Sequence, residues 1–353
     1  MSKLTLDSVE WGEFRIKDLF EIEAVKGRPI ENYKKGDIPY VSTAATNNAV
    51  INFIEKDKNI LTSAFAITVD PIKGTCFFHG YDFVGRGFSG ASVNVLRNIN
   101  LNKYNGVFIC SSIEKTSKLK ASYGYLFNSN RLKMAVILLP IDLKGRPNWQ
   151  FMEDYIKQEM KIQSSKVASY YKNKLMKLGF ELLDYDVEWK EFKVKELFEV
   201  KPVKGKSITN YKEGKIPYIT TSSIDNGLNS FIDTEDNISI KNCISIDPIG
   251  GKSFYHDYDF VGRGGAGSAI NLLYNNNIDK YSGLFICRAL ESSSFSKASY
   301  GVQLNGNRLK NLKLLLPIDK NGEPHWGYMS QFMKKIEKEN IEKTLNYIYI
   351  YNS

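Results

Sequence analysis

The stretch that decides the fold is residues 11–22, WGEFRIKDLFEI, because the chain repeats it at residues 189–200 as WKEFKVKELFEV. The apolar positions and most charged positions are kept between the two copies. A second segment, YDFVGRG at residues 81–87, returns without change at residues 258–264. Each repeated unit is domain-sized and can bury its own core, which excludes a solenoid of short repeats. The chain is therefore expected to hold two homologous domains.

The repeat extends over nearly the whole chain, with one residue lost from the second copy. A pseudo-two-fold relation between the domains is expected, and a bipartite partner such as DNA would suit it. The further matched pairs are residues 25–30 with 203–208, 38–43 with 216–221, 103–110 with 280–287, 121–124 with 298–301, 130–133 with 307–310, 139–142 with 316–319, and Trp149 with Trp326.

The composition is that of a basic globular protein. The 353 residues are 42% hydrophobic, 25% charged and 13% aromatic, with a net charge of +9. These values exclude wholesale disorder and collagen-like structure. We expect no transmembrane helix, no secretory signal and, from four scattered cysteines, a cytoplasmic location. A basic chain rich in aromatic residues favours an anionic partner, nucleic acid first.

Each unit is predicted to consist mostly of short β-strands and to be followed by a long helix. Residues 64–69, 107–110 and 134–139 are predicted as strands, because short apolar runs lie between Gly, Asn and Asp clusters. Residues 14–22 are predicted as a short helix that leads into a turn at Gly27.

Two long amphipathic helices are predicted, at about residues 149–183 and 326–349. Neither is stable alone in water at full length, so we expect them to pack on each other, antiparallel, as a rod between the domains. The predicted helix-packing residues follow heptad-like spacing: Ile156, Met160, Val167, Tyr171, Leu178, Leu182, Met329, Met333, Ile336, Ile341, Leu345 and Ile348.

This organisation resembles the specificity (S) subunit family of type I restriction-modification systems, including the related type IIB specificity subunits. The resemblance rests on the Trp-x-x-Phe opening that runs into Leu-Phe, on Ile-Pro-Tyr followed by Ser or Thr, and on Arg-Leu-Lys before Leu-Pro. The helix starts at residues 149–152 and 326–329 look like the type IIB spacer. The most specific part of the resemblance is the order along the chain, which is domain, long helix, domain and long helix.

The resemblance implies an α+β fold with two β-rich target-recognition domains separated by two long antiparallel helices. The expected division is a first domain at residues 1–148, a helix at 149–183, a second domain at 184–324 and a helix at 325–353. Each domain would read half of a bipartite double-stranded DNA target. The helices would set the spacing and dock a methyltransferase subunit, with the nuclease fused to it or in a separate restriction subunit.

The resemblance also implies a chain without catalytic residues or cofactors of its own. S-adenosylmethionine and Mg²⁺, with ATP as a further candidate, would belong to the partner subunits. The sequence lacks the Asn-Pro-Pro-Tyr and Asp-Pro-Pro-Tyr tetrapeptides of amino-methyltransferases. Asp70 and Asp247, each before Pro, fit turns better than nuclease carboxylates. A solitary nuclease or methyltransferase with an unrecognised site, or an RNA-binding module, stays as an alternative, whereas the net charge argues against a DNA mimic.

Recurring basic residues near glycines are the candidate DNA-binding positions. Glycine allows the backbone to approach a ligand, and Lys or Arg neutralises phosphate. Tight turns and solubility explain the same residues, so both interpretations stay open. The candidates are Lys26, Arg28, Lys34 and Arg86 in the first domain, and Lys204, Lys206, Lys212 and Arg263 in the second.

Base reading is expected where the repeats differ, because identical domains would read identical half-sites. The divergent stretches are residues 44–57 against 222–235, 88–94 against 265–271, and 111–120 against 288–297. The histidines and cysteines show no metal-ligand spacing, so no metal site is predicted. His79 and its equivalent His256 are expected to make structural hydrogen bonds.

Overall fold

The protein is described here by a computed structural model that covers residues 3–56, 59–87, 92–117, 127–179, 186–265, 269–294, 303–304 and 306–352. The chain forms two compact units, Met1–Val167 and Ala168–Ser353. The division falls inside the first long helix, so this helix contributes to both units.

The first domain alternates short strands with a few helices. In chain order its elements are β1 (Trp11–Arg15), α1 (Ile16–Leu19), β2 (Glu21–Ala24), β3 (Lys35–Val41), β4 (Val50–Ile54), β5 (Ala66–Val69), β6 (Cys76–His79), β7 (Val84–Gly85), β8 (Asn94–Arg97), α2 (Lys103–Ser117), α3 (Ser129–Met134) and β9 (Val136–Pro140), followed by the long helix α4 (Trp149–Lys177).

The second domain repeats the same order element by element. Its elements are β10 (Trp189–Lys193), α5 (Val194–Leu197), β11 (Glu199–Pro202), β12 (Lys212–Ile219), β13 (Leu228–Asp233), β14 (Cys243–Ile246), β15 (Ser253–His256), β16 (Val261–Gly262), β17 (Asn271–Tyr274), α6 (Lys280–Ser294), α7 (Gly306–Lys310) and β18 (Lys313–Pro317), followed by the long helix α8 (Trp326–Asn352).

In the described residues, each domain contains three small sheets. In the first domain their strand orders are β2-β8-β5-β6, β4-β3-β7 and β1-β9, and in the second they are β11-β17-β14-β15, β13-β12-β16 and β10-β18. The short strands β7 and β16 run parallel to their neighbours β3 and β12, whereas the other pairs are antiparallel. The prediction of an α+β chain with two homologous domains is confirmed.

The main core of each domain lies between the four-stranded sheet, the helix that follows it and the start of the long helix. In the first domain Ile67 of β5, Ile109 of α2 and Met152 of α4 are fully buried in one cluster. In the second domain Ile244, Ile286 and Met329 form the equivalent cluster.

Two local predictions were wrong. Residues 107–110 are helical, inside α2. Asn102 starts this helix by accepting hydrogen bonds at its Oδ1 from the backbone N–H groups of Tyr104 (2.9 Å) and Asn105 (3.1 Å). A four-residue apolar run has no diagnostic period, so the cap and the core packing decide its conformation. Residues 14–22 form strand, one helical turn and strand rather than one helix.

Lys34 and Lys212 lie at the first ends of β3 and β12. Lys212 is the first residue of β12, and Lys34 directly precedes β3. Gly36 lies in a bulge of β3, where a Cβ would stand 2.5 Å from the carbonyl oxygen of Ile54. The glycine therefore permits a close approach of two strands.

The long helices both begin on the core of their own domain. Asn148 Oδ1 accepts a hydrogen bond from the backbone N–H of Phe151 (3.0 Å) at the start of α4. His325 Nδ1 accepts from Tyr328 N–H (3.1 Å) at the equivalent position of α8. These caps satisfy N–H groups that the first helical turn leaves unpaired. In the part of the chain that the structure describes, no helix is long and apolar enough to cross a membrane.

The second halves of α4 and α8 pack on each other within the second compact unit. Ala168 of α4 is buried against Ile341 and Leu345 of α8. Further toward the end of α4, Lys174 forms an ion pair with Glu337 (2.5 Å). Residue numbers therefore rise along α4 as they fall along α8, and this contact is antiparallel.

The structure separates the predicted helix-packing residues into groups. Tyr171, Ile341, Leu345 and Ile348 meet in the apolar cluster around Ala168, and Leu178 is buried. Ile156 and Met329 pack on the domain cores, while Met160 and Val167 are 51% and 42% exposed. Met333 and Ile336 line a groove of about 330 Å³ beside α6. Leu182 lies outside the described residues.

Candidate nucleic-acid interface

Three chain segments of the first domain leave their strands at one common edge. Arg86, directly after β7, donates its backbone N–H to the carbonyl of Val41, the last residue of β3 (2.8 Å). Gly27, three residues after β2, donates to Gly85 (3.1 Å) and accepts from Gly87 (2.9 Å). The ends of β2, β3 and β7 are thus tied together, and we call this place the Arg86 edge.

The second domain builds the same edge from equivalent residues. Arg263 donates its backbone N–H to the carbonyl of Ile219, at the end of β12 (2.8 Å), and Gly264 donates to Gly205 (2.8 Å). We call this place the Arg263 edge. The structure therefore brings together Lys26, Arg28 and Arg86 in one domain, and Lys204, Lys206 and Arg263 in the other.

The glycines at the Arg86 edge are needed for contact between chain segments. A Cβ on Gly27 would stand 2.2 Å from the carbonyl oxygen of Gly85, and a Cβ on Gly87 would stand 2.2 Å from that of Val25. Gly205 shows the same restriction against Gly262, at 2.3 Å. Sequence reasoning related these glycines to a ligand, whereas the structure relates them to the close approach of two backbones.

A pair of tyrosines holds the basic loop of the first domain in place. The buried Tyr40 donates its hydroxyl hydrogen to the carbonyl of Arg28 (2.7 Å), and the Tyr33 hydroxyl accepts from the backbone N–H of the same residue (2.8 Å). Burial raises the pKa of Tyr40 to about 12, so this hydroxyl remains a neutral donor at physiological pH. The loop that carries Lys26 and Arg28 is therefore fixed at its backbone, which orients its side chains.

The second domain holds its basic loop in the same way. Tyr218 donates to the carbonyl of Lys206 (2.6 Å), and Lys206 N–H donates to the Tyr211 hydroxyl (2.8 Å). Burial raises the pKa of Tyr218 as well, against the positive charge of Arg263. This pair of tyrosine hydrogen bonds, here called the tyrosine clamp, occurs in both domains. It therefore belongs to the framework that the domains share.

The basic side chains differ in exposure. Arg86 is half-buried, whereas Arg263 is exposed. Lys26, Arg28 and Lys34 are exposed in the first domain, as are Lys204, Lys206 and Lys212 in the second. Lys34 precedes β3, while Arg86 bonds the last residue of that strand, so Lys34 is not part of the Arg86 edge.

The Asp-Pro segments act as turns. Asp70 accepts hydrogen bonds at its carboxylate from the backbone N–H groups of Ile72 (2.8 Å) and Lys73 (3.2 Å). Asp247 makes the equivalent bonds to Ile249 (3.0 Å) and Gly250 (2.8 Å). Burial raises the pKa of Asp70, and nearby Arg86 acts in the opposite direction. These contacts explain why an aspartate stands before each proline.

The equivalent histidines occupy the domain interiors. His79 is fully buried, with Nε2 at 2.8 Å from Thr68 Oγ1 and Nδ1 at 3.2 Å from the Tyr81 hydroxyl. His256 is bonded in the same way to Ser245 and Tyr258 (2.7 and 3.3 Å). Both histidines therefore make the structural hydrogen bonds that the sequence predicts.

The cysteines are buried in the cores. Burial raises the pKa of Cys243 to about 12 and raises the pKa of Cys76, Cys110 and Cys287 as well. These thiols stay protonated, which disfavours metal ligation. Among the residues that the structure describes, no group of three or more His, Cys, Asp or Glu side chains could hold a metal ion.

The divergent stretches are only partly described. Residues 44–56 and 222–235 contain a tight turn and then β4 or β13, next to the Arg86 edge and the Arg263 edge, and residue 57 lies outside the described residues. Residues 111–117 and 288–294 are the second halves of α2 and α6. Residues 88–91, 118–120, 266–268 and 295–297 lie outside the described residues. The turns at residues 47–49 and 225–227 have a backbone geometry that sequence reasoning missed, although Asn-Asn and Asp-Asn-Gly are turn signals.

The comparisons with known proteins define the class. The family model of the type I restriction modification DNA specificity domain matches the chain twice, at residues 8–168 and 186–347. Because these matches cover most of its length, the chain belongs to this family and carries two copies of its domain. The resemblance stated from the sequence is confirmed.

Similar proteins extend this assignment to the whole chain. Over 350 residues it is 28% identical to the type II restriction enzyme BgcI specificity subunit S.BcgI of Heyndrickxia coagulans, which covers 95% of this chain and 97% of that protein. The S subunit of a type I restriction-modification system from M. genitalium shares the fold, with a TM-score of 0.53 at 16% identity, over 100% of this chain and 97% of that one. The protein is a restriction-modification specificity subunit.

Proposed function

We propose that each domain reads one half of a bipartite duplex DNA target through its Arg86 or Arg263 edge. The observation that carries this proposal is the recurrence of one arrangement in both domains. A tyrosine-clamped basic loop, an arginine between glycines and the start of a divergent loop are tied together by the same backbone hydrogen bonds. Lys and Arg contribute affinity by neutralising phosphates, and the neighbouring divergent residues contribute base contacts.

The chain itself carries out no catalysis in this proposal. Its affinity for DNA positions a methyltransferase subunit that holds S-adenosylmethionine, and a nuclease that requires Mg²⁺. A relative that matches 95% of this chain over 97% of its own length is the specificity subunit of a type II restriction enzyme. This favours a partner chain that combines methyltransferase and nuclease over the separate subunits of type I systems, in which ATP is a further cofactor. The antiparallel packing of α4 on α8 would keep the spacing between the half-sites constant.

Arginine substitutions test the DNA contact. In the complex assembled with the partner subunit, Arg86→Ala and Arg263→Ala are each expected to weaken DNA binding. If the lost contact is to phosphate, the slope of log Kd against log salt falls by roughly 1 for each arginine. If the contact is to a base, the slope stays and specificity relaxes in one half-site. The measurement is binding of the methylation target over a range of salt concentrations.

Three further variants make this test specific. Arg86→Lys and Arg263→Lys keep the charge, so they should preserve the salt slope of a phosphate contact. Lys144→Ala removes an exposed charge from the turn after β9 and should leave affinity and slope unchanged. Folded Arg86→Ala and Arg263→Ala variants that both bind with unchanged affinity, slope and specificity would remove these residues from the interface.

A further inference from the structure

The divergent stretches contain a backbone feature that is unusual for residues with side chains. Three consecutive residues in each domain adopt left-handed conformation. Their φ angles are 53°, 52° and 57° at Asn47, Asn48 and Ala49, and 51°, 54° and 74° at Asp225, Asn226 and Gly227. Asn and Asp visit this region at a lower cost than other side chains, but three in succession still cost free energy.

Backbone hydrogen bonds hold this left-handed turn against the edge. In the first domain Ala49 donates its N–H to the carbonyl of Thr46 and accepts from the N–H of Ser42 (both 2.9 Å). Ser42 follows Val41, whose carbonyl accepts from Arg86 N–H. The left-handed turn is therefore linked to the arginine through one short segment of chain.

The second domain makes the same connections. Gly227 donates to Ile224 (2.9 Å) and accepts from Thr220 (2.8 Å), the residue after the Ile219 that bonds Arg263. Because two divergent sequences adopt the same strained turn at the same place, the framework imposes this geometry. Strain that the surrounding structure maintains is concentrated at functional sites.

Polar side chains also lie between the turn of the first domain and the buried His79. The Asn48 side chain lies near the Tyr81 hydroxyl, where it opposes the rise that burial causes in the pKa of Tyr81, and this hydroxyl contacts the ring of the fully buried His79. His79 is bonded on its other side to Thr68 of β5. Asn48 thus lies next to a side chain that contacts the core, and the preceding residue of the turn, Asn47, is exposed.

The first residue of the turn is where the two domains differ in hydrogen-bonding chemistry. Asn47 carries an amide, which offers a donor and an acceptor, and Asp225 carries a carboxylate, which only accepts. Both are exposed. A carboxylate at a basic, DNA-facing edge is repelled by phosphates, so it is favourable there only when it meets a hydrogen-bond donor. On duplex DNA, such donors are exocyclic amino groups of the bases.

We propose that the left-handed turns read bases in the major groove and that Asn47 and Asp225 determine part of the specificity of their half-sites. The amide of Asn47 pairs with the N6 and N7 edge of an adenine, and the carboxylate of Asp225 accepts from the N4 amino group of a cytosine. This inference rests on the proposed DNA-reading function and adds the residues that distinguish the two half-sites.

The test is an exchange of the two residue types in the assembled complex. A duplex library with randomised positions is offered to the wild-type complex and to complexes with Asn47→Asp or Asp225→Asn, and the methylated sequences are determined. Asn47→Asp should change the preference at one position of one half-site from adenine toward cytosine. Asp225→Asn should make the opposite change in the other half-site. The preference at each position should shift by roughly 5- to 150-fold.

Matched variants separate base reading from effects of charge and folding. Asn100→Asp and Asp236→Asn make the same chemical changes at exposed positions outside the divergent stretches and should leave the consensus intact. Asn47→Gly and Asp225→Gly remove the side chain but suit a positive φ. Each should keep the fold and relax specificity at one position only.

The outcomes distinguish this inference from the function on which it rests. A wild-type complex that selects no bipartite sequence would overturn both. A wild-type consensus that persists in folded Asn47→Gly and Asp225→Gly variants would overturn the inference and leave the DNA-reading function standing. Uniformly weaker methylation with an unchanged consensus would also overturn it, because it would reveal a contribution to affinity alone.

Discussion

At the scale of single residues, the two buried histidines couple the stability of the domains to pH. Burial lowers the pKa of His79 and of His256 to about 4. In the unfolded chain a histidine titrates near pH 6.5, so between these values the unfolded state binds protons that the folded state does not. Stability from these residues is complete above about pH 6.5 and is lost as the pH falls toward 4.

This linkage predicts a measurable slope. Below about pH 6.5 the free energy of unfolding should fall by up to about 1.4 kcal/mol per pH unit for each histidine. Urea denaturation at a series of pH values measures it. The double variant with His79→Gln and His256→Gln should show a flatter dependence on pH. Equal slopes in the wild type and the double variant would contradict the assignment.

At the scale of elements, the contact between α4 and α8 depends on a small apolar cluster. Ala168, Ile341 and Leu345 are its buried members, and the ion pair of Lys174 with Glu337 lies beside it. The ion pair is partly exposed and contributes little, since exposed pairs are worth about 0–1 kcal/mol. Packing of the apolar side chains therefore provides most of the stabilisation.

Leu345→Ala should loosen this contact without unfolding the domain cores. Truncation of a buried leucine costs about 2–5 kcal/mol, and a small cluster at a helix pair should lie near the lower end. Hydrogen exchange should accelerate in the second half of α8 and remain slow around Met329, which is buried in the core of the second domain. The neighbouring exposed Asn346→Ala is the control. Unchanged exchange in Leu345→Ala would show that the helices do not depend on this cluster.

At the scale of the whole molecule, each domain is a closed module. The first strand of each domain pairs with its last, with Trp11 opposite Pro140 and Trp189 opposite Pro317. The two ends of each module therefore lie side by side. The long helix that follows places the same residue type, Met152 or Met329, in each core. These features favour exchange of one domain for the other.

A chain in which residues 11–142 are replaced by a second copy of residues 189–319 should fold and assemble. The proposed function predicts that the complex then methylates a target with two copies of one half-site, because both modules carry the same divergent loops. Selection from a randomised duplex library measures the result. A folded hybrid that still prefers the asymmetric target of the wild type would show that specificity lies outside these segments.

The sequence alone determined the number of domains, their equivalence and the elements with a strong pattern. A framework segment such as residues 11–22 can be recognised because the chain repeats it. Finding this repetition requires no knowledge of long-range contacts. The long helices were predicted for the same reason, since their apolar positions recur along the chain and each starts at a Trp. The basic candidates at the Arg86 and Arg263 edges were also found by their recurrence.

Tertiary structure decided what neighbouring residues could not. Residues 107–110 are helical because Asn102 caps α2 and the core takes one face of the helix. Gly27, Val41 and Arg86 meet because β3 and β7 pair in parallel, and this pairing joins segments more than forty residues apart. The left-handed turn that contains Asn47 is likewise held by the hydrogen bonds of Ala49 with Ser42 and Thr46. Local propensity is worth tenths of a kcal/mol per residue, whereas packing and buried hydrogen bonds are worth about 1 kcal/mol or more each, so the long-range contacts prevail.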